Sequence, residues 1–276
     1  MAYPGFETIS PDQLRDYMAR HREKEYLLID VRQPGEYIEA HIPGSRLIPL
    51  MELQHNPFDL PSDREMVFYC HSGGRSLMAA DLAAEAEVTE KAIYNLSGGI
   101  MAWDGRTLAD YPKVRVFDKS QSLPDLLMTA MDLEKGAYRF YTYVLEKYGQ
   151  ESFAGTMDQL SKAETAHAKS IYRFWEKSVD DPQPFEALFE ALAGEILEGG
   201  ESVGEMLDRV ENIEGNLCLN LMELALHIEY SAFDLYRTMA EQADSEAAKT
   251  VFLNIAQAEK AHMRVLGRAI TECPGV

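Results

Sequence analysis

A chain of 276 residues is long enough for two domains, each with its own core. Its formal net charge of −20 divides into −6 over residues 1–115 (12 Lys/Arg against 18 Asp/Glu) and −14 over residues 116–276 (14 against 28), which argues against nucleic acid and anionic membrane as partners, since both need a basic surface. No apolar run approaches the ~20 residues of a membrane span, MAYPGFETISPDQL has no secretory pattern, and the three cysteines (Cys70, Cys218, Cys273) form no Cys-x-x-Cys, so the chain reads as a reduced, cytoplasmic protein with no disulfide framework.

In chain order, Ser10-Pro11-Asp12 predicts a capped helix with proline in its first turn, running to about His21. Tyr26 to Val31 reads as a buried strand, and Met66 to Cys70 as a second. A glycine-rich turn follows, then a helix from Ser76 to about Glu87. Lys91 to Leu96 is a third strand, followed by Gly98-Gly99 and a short helix through Trp103. Alternation of strand and helix over 1–115 predicts an α/β domain on a parallel sheet.

Beyond a linker from Tyr111-Pro112 to Asp118 the pattern is helical, so the chain as a whole reads as multidomain, α/β followed by all-α, with the second domain over 119–272. From Ser120 onward four long helices are predicted, at about 121–148, 151–178, 215–242 and 245–271. Gly149 and Asp244 mark short turns that make each pair antiparallel. Residues 179–214, with a further helical segment near 185–198, form a long crossover. The helical half is an internal repeat. Glu134-x-x-Ala137-x-x-x-Tyr141 recurs as Glu229-x-x-Ala232-x-x-x-Tyr236, and Ala163-Glu164-x-Ala166-His167 recurs as Ala258-Glu259-x-Ala261-His262, each at an offset of 95 residues.

Two constellations carry chemistry. Cys70-His71-Ser72-Gly73-Gly74-Arg75-Ser76 lies where a strand ends and a helix begins. Converging amides and the helix dipole at such a turn favour a thiolate, and Arg75 is expected to add a fixed cation. A cysteine at a strand end is ordinarily structural; the Gly-Gly-Arg-Ser after this one argues otherwise. In the helical half, an i, i+3 Glu–His pair presents both groups on one helix face. Glu164 with His167 and Glu259 with His262, joined by Glu134 and Glu229 from facing helices, make the six-residue ligand set of a dinuclear metal site in a four-helix bundle. A solvated acidic face is the plain alternative, but Leu133, Ala137, Ala163, Ala166, Ile228, Ala232, Ala258 and Ala261 surround these acids. Glu52-Leu-Gln-His55 has the same spacing but no glutamate upstream and no repeat partner, and is set aside. Tyr141 and Tyr236 fall on the ligand faces, either as partners of a ligand or an electron relay, or as core. His227 reads as a satisfied polar histidine, Cys218 as a small core residue and Cys273 as part of the tail.

At the cysteine loop the chain resembles the rhodanese family of sulfurtransferases. The loop has the form Cys-x-x-Gly-x-Arg-Ser. Asp30-Val-Arg32, Glu36-Tyr37 and His41-Ile-Pro-Gly44-Ser45 match the family's first signature, and Asn95-Leu-Ser-Gly-Gly-Ile100 with Trp103 matches its closing one. The resemblance implies that Cys70 carries a sulfane sulfur as a persulfide, cradled by the amides from His71 to Ser76, and that Asp30, Arg32, Glu36 and His41 brace the fold. The related phosphatases have a loop one residue longer, so the spacing of Cys70 and Arg75 favours sulfur over phosphate. Residues 120–271 resemble ferritin-like proteins, rubrerythrin in particular. That implies two iron ions (or manganese), oxidase or peroxidase activity and a homodimer. The paired Cys-x-x-Cys of a rubredoxin domain is missing, which implies an external electron donor, and Leu226 stands where rubrerythrin has an additional glutamate.

The reading is therefore a sulfurtransferase that takes sulfane sulfur from thiosulfate, polysulfide or a persulfide through Cys70, fused to a di-iron redox domain reacting with O2 or peroxide, in the handling of sulfur and oxidant stress. Two alternatives stand beside it: a peroxidase whose first domain only docks a redox partner, and a non-enzymatic iron-binding bundle.

Overall fold

The apolar runs of the first half are continuous rather than alternating because both faces of their sheet are covered. The computed structural model describes residues 5–114, 122–243 and 245–275. Among these, five parallel strands form one sheet: β1 (Glu7–Ile9), β2 (Tyr26–Asp30), β3 (Arg46–Leu47), β4 (Glu65–Tyr69) and β5 (Ile93–Leu96), in the order β1-β5-β4-β2-β3. β2 and β4 pair from Tyr26 opposite Glu65 to Asp30 opposite Tyr69. Leu27, Ile29, Met66 and Phe68 enter one core, while Tyr26, Leu28, Val67 and Tyr69 enter the core on the other face. β1 and β3, of three and two residues, are too short to leave a pattern in the sequence.

Helices α1 (Pro11–Arg20), α2 (Pro34–Glu39), α3 (Leu50–His55), α4 (Gly74–Glu85) and α5 (Gly99–Ala102) complete this unit. α1 starts where its signal placed it: Ser10 Oγ accepts from the Gln13 N–H, and Gln13 Oε1 accepts from the Ser10 N–H. The set-aside pair Glu52 and His55 lies on α3, where the His55 ring bonds the Met51 carbonyl at 2.6 Å.

Two compact units divide the chain, Met1–Tyr111 and Pro112–Val276. In the second, α6 (Leu123–Tyr148) packs along α7 (Ala154–Trp175), and α10 (Leu217–Gln242) along α11 (Glu246–Thr271). Asp244, Ser120 and residues 115–118 of the expected linker lie outside the described residues. Each long helix passes from one apolar core to another. On α6, Leu127 to Leu133 belong to the first and Ala137 to Val144 to the second; on α10, Leu221 to Ile228 belong to the second and Ala232 to Ala240 to the first. α7 and α11 do the same, changing core between Leu160 and Ala168 and between Ala256 and Leu266. The residues at the four change-overs include Glu134, Glu229, Glu164 and Glu259. These acids thus form a polar layer across the middle of the bundle. No helix among the described residues is long and apolar enough to cross a membrane.

The crossover departs from expectation. Its helix α8 (Phe185–Ala191) stops well before residue 198, and a further helix, α9 (Val203–Glu211), follows. Between them Gly194 (φ +54°) and Gly200 (φ +83°) take left-handed conformations that break helix, and an Ile196–Ser202 bridge closes a tight turn. A capping box opens α9, with Ser202 Oγ accepting from the Glu205 N–H and Glu205 Oε2 accepting from the Ser202 N–H.

The cysteine reading is corrected at two positions. Cys218 and Cys273, expected as a core thiol and a tail thiol, form a disulfide across a sequence separation of 55, with Cα atoms 5.6 Å apart. Cys218 lies in the first turn of α10 and Cys273 just past the end of α11, so the antiparallel return of this hairpin brings them together. No spacing rule for adjacent cysteines could have shown it. Cys70 is the free cysteine.

Candidate thiolate loop and candidate metal centre

β4 is the central strand, and the sheet order reverses beside it: β2 has β3 on one side and β4 on the other. Such a switch point opens a crevice at the carboxyl ends of the strands. Cys70 follows β4 directly, and α4 begins four residues later. Gly73, at φ +99°, turns the chain back so that its N–H points at Cys70 Sγ, 3.1 Å away. Ser76 Oγ donates to the same sulfur at 3.4 Å. Burial of Cys70 pushes the thiol pKa up, but the hydroxyl of Ser76 and the amides of Ser76, Gly73 and Ser72 outweigh it, leaving the pKa below the ordinary thiol value.

The closing motif explains itself here. The Ile100 N–H bonds the Cys70 carbonyl at 2.8 Å, and the Met101 N–H bonds the His71 carbonyl at 3.1 Å. Gly99 makes this approach possible, since a Cβ on it would stand 2.3 Å from the Cys70 carbonyl oxygen. Asp30 is fully buried and takes the Arg32 guanidinium and backbone N–H, and Arg32 reaches on to the Ala40 carbonyl at 2.6 Å. The first signature thus ties β2 to the segment after α2.

Arg75 is fixed by a carboxylate. Its two terminal nitrogens are each 2.7 Å from a Glu36 oxygen, and this ion pair holds Glu36 down to about 2. The cation is held by Glu36 and still feels the charge of Cys70, while the direct donors to the sulfur are an amide and a hydroxyl.

In the bundle the six residues singled out by spacing come together. Glu134, Glu164, Glu229, Glu259 and His262 are buried and His167 nearly so. One ligand atom from each of Glu164, His167, Glu259 and His262 lies within 4.8 Å of the others, a group that could hold a metal ion. The arrangement repeats across the two hairpins. Glu134 Oε2 is 3.2 Å from His167 Nδ1, and Glu229 Oε2 is 2.8 Å from His262 Nδ1. The tyrosines cross over: Tyr236 donates to Glu134 Oε1 at 2.6 Å, and Tyr141 donates to Glu229 Oε1. Both are fully buried, so both are partners of carboxylates rather than apolar packing alone.

The electrostatics of this layer ask for a cation. Burial, then the charges of Glu229 and Glu259, push Glu164 well above the usual carboxylate range. Burial and Glu259 raise Glu229 to about 7 against the pull of His262. Burial would raise Glu259 too, but the imidazoles of His167 and His262 hold it low. Burial alone would lower both histidines; the carboxylates around them prevail, holding His167 well above its ordinary value and His262 at about 12. Glu164 Oε1 and Glu259 Oε2 are buried without a hydrogen bond, sharing His262 Nδ1 at 3.4 and 3.1 Å as a charge contact. Carboxylate oxygens without hydrogen bonds in a water-poor layer, with two imidazoles shared among four acids, are costly, and hard or borderline divalent ions are the partners such a mixed Glu/His set fits.

Comparison with known proteins agrees with both geometries. Residues 10–106 match the model of the rhodanese-like domain, and residues 220–275 match that of rubrerythrin. A sulfurtransferase of Allochromatium vinosum is 34% identical over 80 residues, which are 29% of this chain and 73% of the relative. The Bacillus subtilis protein YqhL is 37% identical over 94 residues, 34% of this chain and 71% of the relative. The chain belongs to the rhodanese family, with a rubrerythrin domain following. MoeZ of Mycobacterium tuberculosis is 42% identical over 98 residues, but the chain spans 24% of its length. Among solved structures, a rhodanese-related protein from Thermoplasma volcanium is 26% identical and covers 38% of this chain and 100% of its own, with a TM-score of 0.34.

The rubrerythrin match takes in most of α10 and all of α11; α6 and α7 come in through the 95-residue repeat. Motif spacing did not find every buried acid. Glu198, in the crossover turn, is 2% exposed and has no repeat counterpart, so nothing periodic marks it. His227 has the satisfied role expected, with Nε2 3.1 Å from Glu201 Oε1.

Proposed function

We propose that this protein moves sulfane sulfur through Cys70 and that its rubrerythrin domain is a di-iron redox centre serving sulfur and oxidant stress. The observation that carries the first half is the sulfur of Cys70 receiving N–H from Gly73 and O–H from Ser76 at a strand-to-helix turn. The thiolate attacks the outer sulfur of thiosulfate or a like donor. A new S–S bond forms at Sγ, the donor's own S–S bond breaks, and sulfite leaves with the electron pair. The persulfide's terminal sulfur bears the charge that Sγ carried, within reach of the loop amides from His71 to Ser76. An acceptor thiolate or cyanide then attacks that sulfur and the Cys70 thiolate returns as leaving group, its departure eased by the same donors. Arg75, paired with Glu36, holds the loop in shape.

In the bundle, Glu134 with His167 and Glu229 with His262 would each hold one ion, with Glu164 and Glu259 between them. Two iron ions there would supply one-electron redox chemistry with O2 or peroxide. Tyr141 and Tyr236 keep Glu229 and Glu134 oriented by donating to one oxygen of each, while the other oxygen faces His262 and His167. The fusion itself supports a coupled role, in which sulfur carried on Cys70 feeds the redox domain.

The test uses the full chain. Incubation with thiosulfate is expected to add one sulfur atom to Cys70 by mass, and cyanide to release it as thiocyanate. Cys70→Ser is expected to lose this by at least ~10³-fold while still binding iron. Thiocyanate formation that survives Cys70→Ser overturns the sulfurtransferase reading, and iron-site turnover that ignores Cys70→Ser with every sulfur donor overturns the coupling.

A further inference from the structure

The six-residue set repeats across the two hairpins, but the crossover does not, and it inserts one more acid. Residues 193–203 are strapped to α6. Asp132 Oδ1 accepts the Gly194 N–H at 2.9 Å, and Arg139 Nη1 donates to the Ala193 and Gly194 carbonyls at 2.6 and 2.9 Å. The strap lies against the helix at Gly136, where a Cβ would stand 2.4 Å from the Ile196 carbonyl oxygen. A glycine inside a long helix disfavours it, so this one marks a required approach. Its counterpart in the repeat is Ser231, which carries a side chain. The turn itself is closed by Leu197 N–H to Glu201 O at 2.9 Å and Gly200 N–H to Leu197 O at 2.8 Å, and Glu201 is anchored to His227 on α10. Glu198 sits in this turn, fixed from both sides.

Its carboxylate is turned inward. Glu198 is 2% exposed and its Oε2 is buried without a hydrogen-bond partner. It lies close enough to Glu134 and Glu164 for their charges to act on it, and to Tyr236, the tyrosine bonded to Glu134, for its own charge to act in turn. A fifth buried acid beside four others, with an oxygen left unsatisfied, is unfavourable unless a cation takes that oxygen.

We infer that Glu198 is a seventh ligand of the metal site, binding the ion on the Glu134–His167 side and leaving the Glu229–His262 side with the six-residue set alone. This rests on the di-metal reading above. The consequence is that the repeat is symmetric in sequence but its two ion positions are unequal: one carries an additional carboxylate, delivered by a segment outside the four long helices.

The experiment is anaerobic ferrous titration of the full chain, wild type against Glu198→Gln and Glu198→Leu. Glu195→Gln, an exposed acid on the same turn, controls for surface charge. Wild type is expected to bind two ferrous ions in steps of unequal affinity. Both Glu198 variants are expected to weaken one step by at least roughly tenfold and leave the other in place, with Glu195→Gln unchanged. The metal-free Glu198→Gln protein is also expected to melt higher than metal-free wild type, and to gain less from added iron. Equal titrations for wild type and both Glu198 variants overturn the inference while leaving the di-metal reading intact. A wild-type chain that binds no iron overturns both.

Discussion

The two candidate sites are built in opposite ways. The thiolate loop is made from seven consecutive residues, and its charge is held by backbone amides that point inward because of where a strand stops and a helix starts. The metal layer takes one or two side chains from each of four helices and places like charges together in the middle of a core. The first stabilises its anion with the chain's own dipoles. The second has two imidazoles and two phenols for at least four carboxylates and still leaves buried oxygens without a hydrogen bond. A site of dipoles can rest complete; a site of like charges calls for a partner of opposite sign.

Three changes break or sharpen this contrast. The largest effect is expected from Gly99→Ala. Its Cβ would meet two backbone oxygens at 2.3 and 2.7 Å, at a φ of +58°, a strain of about 4 kcal/mol from overpacking and left-handed backbone together. Sulfur transfer should collapse while ferrous binding persists, showing that the contiguous loop still depends on one remote contact. Thiocyanate production at wild-type rate would mean that the lock at Cys70 is dispensable. Next comes Cys218→Ser, which opens a disulfide spanning 55 residues; loop closure of that length is worth about 3–4 kcal/mol. The melting of the bundle, followed by helical circular dichroism, should move down, and sulfur transfer at room temperature should not change. A loss of sulfur transfer in this variant would mean the two units are not independent.

The smallest effect concerns Glu36 and Arg75. Glu36 is held at about 2 against an ordinary value of 4.5, so the pair stabilises the loop above that ordinary value. The contribution is lost as pH falls from about 4.5 toward 2. With both side chains about a third exposed (32% and 35%), solvent screening limits it to about 1 kcal/mol or less. Acid unfolding curves of Glu36→Gln and wild type should therefore converge toward about pH 2 and separate modestly above pH 5. Curves that stay parallel throughout would show that the pair contributes nothing to folding.

Both halves were legible in the sequence to different depths. The sheet strands Tyr26–Asp30 and Glu65–Tyr69 announced themselves because parallel strands covered on both faces are continuously apolar, whereas Arg46–Leu47 left no trace. The four long helices were visible within about three residues at each end, since their periodicity is sustained and their turns are short. The crossover was misjudged at Leu192, whose extended backbone (ψ 137°) ends what composition alone would continue as helix, before Gly194 turns left-handed.

The sequence by itself determined which residues have the chemistry: Cys70 in its glycine loop, and six ligand-type residues at a 95-residue repeat, because contiguity and periodicity are written along the chain. Only the tertiary structure decided what those residues meet. Arg75 turns to Glu36, Tyr141 and Tyr236 exchange hairpins to reach Glu229 and Glu134, Cys218 finds Cys273, and Glu198 enters the acidic layer from a turn that Gly136 admits. These are contacts between segments far apart in sequence, set by helix packing and close backbone approach, and neither leaves a period or a motif to read.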